Sequence, residues 1–186
     1  MCEIILMDLD GTSCEPEGGI SATVLIAPVK DFTVIGEPPP TLEDYETLGE
    51  LATVSAAHTF PVGKGFSQIE SIQEISTLKC TGIGETERKL YQNEAMFKVS
   101  GSKADVLGFM RLVKNGRFIV LMEEAGSGNL RQIGTKLKPA RFTAIESNIE
   151  AAAEGDNSVT FTIQDKQKWP APIYPAAFTV TLKPAA

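Results

Sequence analysis

The chain has 186 residues, of which 42% are hydrophobic and 22% charged, and its formal net charge is −7. This length and composition are typical of one globular domain with a sizeable apolar core. No apolar run approaches the roughly 18 residues that a membrane-spanning helix needs, and the start MCEIILMDLD lacks the basic segment of a secretory signal. We therefore expect a single domain over residues 1–186, without membrane association, that is made and folds in the cytoplasm.

The charge is unevenly distributed between the two halves of the chain. Residues 1–75 contain 13 acidic and two basic residues, whereas residues 76–186 contain 11 acidic and 15 basic residues. Two faces of opposite potential would complement each other head-to-tail between identical subunits. The alternative is that both sets of charges are scattered over a solvated surface. The acidic composition argues against sequence-specific binding of nucleic acid, because an acidic surface repels phosphate.

The chain offers few residues for a metal site or a nucleophilic site. Its three cysteines, Cys2, Cys14 and Cys80, form no CxxC motif, and its one histidine is His58. A structural zinc site needs about four such ligands, and a catalytic triad needs a histidine beside its nucleophile. We interpret the cysteines as free thiols and His58 as a structural or surface residue.

Short strands and one acidic loop are predicted at the start of the chain. The apolar runs at 2–9, 22–29 and 32–35 predict strands, since most of their residues are apolar or β-branched. The segment GEPPPTLEDYETLGE at 36–50 is acidic, and its three consecutive prolines exclude a helix or a central strand. We expect it to form an exposed loop or arm, and loops of this length are often functional.

Extended structure continues towards the middle of the chain. The run LATVSAAHTF at 51–60 predicts a strand, and 66–84 predicts extended structure with a bulge. Residues 85–101 predict a strand or a strand pair that leads into a helix.

One amphipathic helix is predicted at about residues 103–114. Its apolar residues follow helical spacing and form one core-facing stripe, which consists of Val106, Phe109, Met110 and Val113. Ser102 and Asp105 resemble a capping box at its start, and Asn115 with Gly116 supplies a helix stop.

The last third of the chain predicts mostly strands. Residues 117–124 are apolar on both faces, which indicates a central strand buried between the helix on one side and an opposing sheet on the other. Residues 125–129 form a Gly/Ser tip. Further strands, hairpins and a proline-aromatic crossing are predicted at 140–153, 159–164, 168–175 and 178–182. About eight to eleven strands and one helix predict a mainly β fold, an antiparallel β-sandwich or barrel with the helix packed on it.

Residues 4–12, IILMDLDGT, resemble the nucleophile motif of the haloacid-dehalogenase-like superfamily. In that family an apolar strand ends in DxDGT, so the resemblance implies that Asp8 attacks phosphorus and Asp10 acts as acid and base. Both carboxylates would help to hold Mg²⁺, a hard cation that prefers oxygen ligands.

The remainder of the chain departs from that superfamily. Its fold needs repeated βα units, whereas one helix is predicted here. Its second acidic cluster, GDxxxD, has a partial match at Gly155 and Asp156, but the later aspartate is missing. The alternative interpretation of the motif is a strand followed by an Asp-Gly turn.

The segment 85–182 resembles the tail tube proteins of tailed bacteriophages. The similar features are the strand leading into the helix SKADVLGFMRLVKNG, the strand RFIVLMEE, the loop GSGNLRQIGT and the stretch KPARFTAIESNIEAAAEGDNSVTFTIQDKQKWPAPIY. The resemblance implies a virion structural protein that forms rings, commonly of six subunits. Such rings stack head-to-tail into a tube whose inner wall is β-sheet, and DNA passes through the lumen without specific binding.

The leading hypothesis is therefore a non-enzymatic protein of a phage tail tube or a related tail connector ring, with other tail proteins as partners. It has no predicted catalytic, cofactor-binding or metal-binding residues. The loop 36–50 and the tip 125–129 are the candidate contacts between subunits. The alternatives are a Mg²⁺-dependent phosphohydrolase that uses Asp8 and Asp10, and a monomeric β-sandwich that binds an unknown ligand.

Overall fold

The structure is a computed structural model that describes residues 19–42, 45–72, 74–101, 103–150 and 155–184. In these ranges it has nine strands, one α-helix and two short 3-10 helices. The strands are β1 Ile20–Pro28, β2 Ser67–Glu70, β3 Thr77–Ile83, β4 Leu90–Ser100, β5 Phe118–Glu124, β6 Leu130–Ile133, β7 Arg141–Ile149, β8 Asn157–Gln167 and β9 Ile173–Tyr174. The helix α1 is Ala104–Val113, and the 3-10 helices are Val29–Asp31 and Glu50–Ala52.

Two antiparallel sheets form a sandwich, as the sequence predicts. The five-stranded sheet has the order β2-β1-β5-β6-β9, and the four-stranded sheet has the order β3-β4-β8-β7. Every described strand pair is antiparallel. The mainly β fold with a single helix is thus confirmed.

The main core lies between the two sheets. Inward-facing residues alternate with outward-facing ones along β8, where Val159, Phe161 and Ile163 are fully buried. From the other sheet, Val24 of β1 and Val120 of β5 join the same apolar cluster. The rings of Phe97 and Phe161 stack with their centroids 5.2 Å apart, and Phe109 and Phe142 meet Phe161 edge-on at 5.6 and 5.8 Å.

The helix packs against this inter-sheet core through its predicted stripe. Val113 is buried in the core cluster. The other three stripe residues are partly buried and pack against this cluster, namely Val106, Phe109 and Met110. The helix begins at Ala104, and its N-cap is Lys103, whose side chain makes no cap hydrogen bond. Ser102, the first residue of the predicted capping box, lies outside the described residues.

The central strand β5 is buried on both faces, but the two covering layers differ from the prediction. Its residues Val120 and Met122 face the inter-sheet core, so the helix and the opposing sheet lie on the same side of β5. The other face presents Ile119 and Leu121 to a second cluster. That cluster is completed by Tyr174 of β9 and by residues outside the strands, among them Phe32, Val54, Phe60, Phe66, Phe178 and Val180.

Three predicted strands are therefore wrong. Residues 32–35, 51–60 and 178–182 make only isolated bridges, such as Val34 with Thr59 and Phe66 with Leu182. Their apolar residues are spaced for burial, but the segments lie across the outer face of the five-stranded sheet instead of extending it. An apolar sequence pattern indicates that residues are buried. It does not distinguish a strand that pairs in a sheet from a segment that packs across the face of the sheet.

The predicted bulged segment 66–84 forms two strands, β2 and β3, that belong to different sheets. In the acidic loop, Gly36 and Pro38 are buried, whereas most described residues from Pro40 to Glu50 are exposed. The predicted strand at 2–9 lies outside the described residues.

Candidate functional site

The four-stranded sheet has two open edges. In the ranges that the structure describes, β3 pairs only with β4, and β7 pairs only with β8. Most residues of both edge strands are exposed or half-exposed, and Ile149 at the end of β7 is 67% exposed. A strand edge with free N–H and C=O groups is a template for pairing with another strand.

The two open edges run in opposite directions. Four strands that alternate in direction place β3 antiparallel to β7 across the sheet. If copies are related by rotation about an axis roughly along the strands, β7 of one copy meets β3 of the next in antiparallel orientation. Such a contact uses a different surface on each partner, so it generates rings or helical assemblies.

The outer face of the four-stranded sheet is polar. It is rich in threonine and glutamine, and its outward-facing residues include Thr77, Lys79, Thr81, Gln92, Glu94, Lys98, Thr160, Thr162, Gln164 and Lys166. One row crosses all four strands, and in it Lys79 lies beside Glu94, whose carboxylate accepts a hydrogen bond from Gln164 Nε2 at 2.9 Å. The row ends in Arg141 on β7, so the basic residues of this face include one, Lys79, with an acidic register partner.

Asp156, the residue that partly matches a second phosphatase motif, lies at the start of β8 in an ion pair. Lys98 Nζ lies 2.5 Å from Asp156 Oδ2. The hydrogen bond from Lys98 lowers the pKa of the Asp156 carboxyl. The carboxylate thus neutralises a lysine of the sheet's outer face.

A buried polar network joins the two sheets. Asp165 on β8 accepts hydrogen bonds from Asn93 Nδ2 at 2.9 Å and from the Gly134 backbone N–H at 2.5 Å. Asn93 Oδ1 in turn accepts from the Ala171 N–H at 2.9 Å. Burial raises the pKa of Asp165 to about 6, against the lowering effect of these donors. The network fixes the crossing segment 168–172 and the end of β6 onto the four-stranded sheet.

His58 is a buried residue of the second cluster. Its ring stacks on Tyr174 with the centroids 4.7 Å apart, and its Nδ1 accepts a hydrogen bond from the Gly36 N–H at 3.1 Å. An accepting Nδ1 places the single proton of the neutral ring on Nε2. Burial lowers the pKa of His58 to about 4. The ring is therefore a neutral packing element that holds Gly36, the first residue of the acidic loop.

An open cleft of about 620 Å³ lies between the sheets near Glu124 and Cys80. Arg131 crosses it, pairing with Glu124 at 3.0 Å and donating from Nε to the Ala171 carbonyl at 2.8 Å. Burial raises the pKa of the Cys80 thiol. Among the described residues, no group of three or more His, Cys, Asp or Glu side chains is placed to hold a metal ion.

Of the residues that were singled out in the sequence, four lie outside the described residues, namely Cys2, Asp8, Asp10 and Cys14. The proposed phosphatase motif therefore has no described geometry. The tip 125–129 is an exposed turn, in which Gly126 and Gly128 adopt positive φ angles of 103° and 68°.

Sequence reasoning missed the Asp165 network. The predicted strand ended at residue 164, whereas β8 continues to Gln167, and Asp165 and Gln167 keep the inward alternation of Val159, Phe161 and Ile163. A polar residue at an inward position is a signal of a buried network, but its partner Asn93 is 72 residues away along the chain.

Comparisons with protein-family models, with curated proteins and with solved structures find no match to this chain. Within the described part of the chain, no helix has the length and apolar character that would let it cross a membrane.

Proposed function

We propose that this chain is a non-enzymatic structural protein of a phage or prophage virion, which assembles into the stacked rings of a tail tube or a related tail connector. The observation that carries the proposal is the four-stranded sheet, whose two edges are open in the described part of the chain and run in opposite directions, and whose outer face is largely polar. The sequence resemblance over residues 85–182 supports the same function.

Edge-to-edge pairing of copies would close the sheet into a continuous barrel. Each copy contributes four strands about 4.8 Å apart. With a strand tilt of about 40°, six copies would give a barrel roughly 45–50 Å across at the backbone. Closure would also remove both exposed edges, which otherwise favour unspecific aggregation.

The outer face of the four-stranded sheet would then line the lumen. Threonine and glutamine side chains keep such a wall hydrated, and two of its lysines lie beside acidic residues, Lys79 next to Glu94 and Lys98 in an ion pair with Asp156. Stable DNA binding requires many uncompensated basic contacts with phosphate. A wall of mixed charge would let DNA pass without holding it.

The alternative, a Mg²⁺-dependent phosphohydrolase based on Asp8 and Asp10, draws no support from the described residues, because both aspartates lie outside them. The assembly proposal is therefore the one that the geometry supports best.

Cysteine cross-linking tests the edge contact. Cys2, Cys14 and Cys80 are first replaced by serine. Thr81→Cys on β3 is then combined with Glu146→Cys on β7, both exposed and both on the outer side of the sheet. Mild oxidation should give a ladder of covalent oligomers on a non-reducing gel. Thr143→Cys in place of Glu146→Cys samples a second register.

The matched control combines Thr81→Cys with Leu137→Cys, because Leu137 is 86% exposed but lies in the loop before β7. The control should give no ladder. Negative-stain microscopy of the wild-type chain should show rings or tubes. A chain that stays monomeric in light scattering at every concentration, with no cross-link in either register, would refute the proposal.

A further inference from the structure

A groove runs along the C-terminal half of the helix, where it faces β1 and the start of β2. It encloses about 690 Å³, and its walls include Ile26, Phe109, Leu112, Val113 and Phe118. We call it the helix groove. Leu112 on its wall is 79% exposed, although it is a large apolar residue. An exposed leucine beside an apolar floor marks a surface that a partner can cover.

The rim of the helix groove is basic. Lys30, Lys64 and Arg117 line it, and all three are exposed. Asp31 is the acidic residue of the lining, and it lies 3.3 Å from Lys64 in an ion pair. The groove therefore combines an apolar floor with a net positive rim, which favours an acidic segment that carries an apolar residue.

The acidic loop of the same chain has this chemistry. Residues 36–50 contain five acidic residues and no lysine or arginine. Leu42 in this loop is 55% exposed, and Glu46 is exposed. The loop thus has an acidic sequence, and its described part exposes a large apolar side chain, Leu42, which together are the complement of the helix groove.

Hydrogen bonds hold the described start and end of the loop on the protein surface, where Leu42 and Glu46 are exposed. At its start, Glu37 Oε1 accepts from the Lys136 N–H at 2.8 Å, and the Pro40 carbonyl accepts from Lys168 Nζ. Near its end, Glu50 Oε2 accepts from the Glu46 N–H at 3.1 Å. Segments that are already held at the surface lose less conformational entropy when they bind.

The loop is held away from the groove in its own chain. The groove is lined by residues of β1 and β2 and by Phe118 of the central strand β5, whereas the segment after the loop bridges Ile173 of β9 through Thr53. Because Lys136 and Lys168 hold the loop and neither residue lines the groove, the contact would join the loop of one copy to the groove of another. Such a contact is again heterologous, so it propagates from copy to copy.

We propose that the helix groove binds the acidic loop of a second copy of this chain, with Leu42 on the apolar floor and Glu46 at the basic rim. This inference rests on the proposed function, to which it adds an interface distinct from the β3 and β7 edges. The rim charges lie at the surface and are screened by salt, since the Debye length is about 10 Å at 0.1 M. Association should therefore weaken as salt increases.

Two surface variants test the contact in the full-length chain. Leu112→Asp places a carboxylate in the groove, and Leu42→Asp removes the apolar residue of the loop. Both positions are exposed, so folding should be retained, as circular dichroism can verify. Each variant alone should weaken this association at least about tenfold in sedimentation velocity, because a charge cannot enter the apolar floor without loss of hydration. Leu137→Asp, at another exposed leucine, is the control and should associate as wild type does.

A mixture of the two variants gives a sharper result. The Leu112→Asp chain keeps an intact loop, and the Leu42→Asp chain keeps an intact groove. A one-to-one mixture should therefore form a contact that neither variant forms alone, and growth through this interface should stop at one contact. A mixture that behaves as the sum of the separate variants would overturn the inference.

A peptide provides a second readout that does not depend on assembly. A fluorescent peptide of residues 38–50 should bind wild-type protein in an anisotropy assay, and Leu112→Asp should weaken its binding at least about tenfold. A peptide with Leu42→Asp should fail to bind. Equal binding to wild type and Leu112→Asp, or no binding to either, would overturn the inference.

The two proposals fail in distinguishable ways. Cross-links between β3 and β7, with both groove variants assembling normally, would overturn the groove contact alone. A salt-sensitive groove contact without any β3–β7 cross-link would overturn the ring proposal alone. A wild-type chain that is monomeric and does not bind the peptide would overturn both.

Discussion

His58 and Asp165 should have opposite effects on the pH dependence of stability. Burial lowers the pKa of His58 from 6.5 to about 4 and raises that of Asp165 from 3.8 to about 6. Both side chains are nearly inaccessible to solvent. They titrate over the same pH range, so each hides the effect of the other in the wild-type chain.

The sign for each group follows from which state binds more protons. Between pH 4 and 6.5 the unfolded chain protonates His58 and the folded chain does not, so this group makes stability rise with pH. Between pH 3.8 and 6 the folded chain protonates Asp165 and the unfolded chain does not, so that group's stabilising contribution is lost as pH rises through 6. At about 1.36 kcal/mol per pKa unit, each effect amounts to about 3 kcal/mol.

Single substitutions should separate the two effects. His58→Asn keeps a side-chain oxygen that can accept from the Gly36 N–H but cannot titrate. Its free energy of unfolding, relative to wild type, should therefore fall by about 3 kcal/mol from pH 4 to pH 7. Asp165→Asn should show the opposite trend, with a relative gain of about 3 kcal/mol over the same range. In the double variant the two effects cancel, so the difference between its free energy of unfolding and that of wild type should be nearly independent of pH.

Urea unfolding followed by tryptophan fluorescence at half-unit pH steps measures these differences. Subtracting the wild-type curve removes the titration of all other groups, provided that they act independently. Leu137→Asn, at an 86% exposed position that carries no titratable group, is the control and should give a flat difference. If the difference between His58→Asn and wild type is the same at pH 4.5 and pH 7, the assignment of a buried neutral imidazole is refuted.

Two further substitutions test the packing. Phe161→Ala, at the centre of the inter-sheet aromatic cluster, should lower the free energy of unfolding by about 3–5 kcal/mol. Leu137→Ala, at an 86% exposed position, should change it by less than about 0.5 kcal/mol. Equal effects of the two substitutions would contradict the described core. Gly134→Ala should be more costly than Gly63→Ala, since both glycines have positive φ but only at Gly134 would a Cβ lie 2.6 Å from the Phe118 carbonyl oxygen. Both substitutions cause backbone strain of about 1 kcal/mol, so the difference between their free energies of unfolding in chemical denaturation isolates the steric clash at position 134. Equal losses of stability would contradict the close approach of the Cβ to the Phe118 carbonyl oxygen.

Periodicity located the elements whose burial repeats regularly. The helix is within a residue of its prediction, because the stripe from Val106 to Val113 is set by the helical repeat alone. The alternation in β8 likewise marked its inward face from Val159 to Ile163. Both patterns arise from local geometry, so they can be read without knowing what covers them.

The segments that cover the five-stranded sheet could not be recognised in the same way. Residues 51–60 and 178–182 are apolar and β-branched like true strands, yet they lie over Ile119 and Leu121 without joining a ladder. Pairing depends on which strand edges are free, and this is a property of the whole fold. For the same reason β5 was expected to lie between the helix and a sheet, which instead share one of its faces.

By itself, the sequence determined the fold class, the single helix, the uneven distribution of charge and the apolar faces of the longest strands. These are local properties of composition and of a repeat of 2 or about 3.6 residues. Only the tertiary structure decided that Asp165 meets Asn93, that His58 packs on Tyr174 and that β3 and β7 lie at open edges among the described strands. Each of these depends on contacts between residues far apart in the chain, which are fixed by the order of strands in the two sheets.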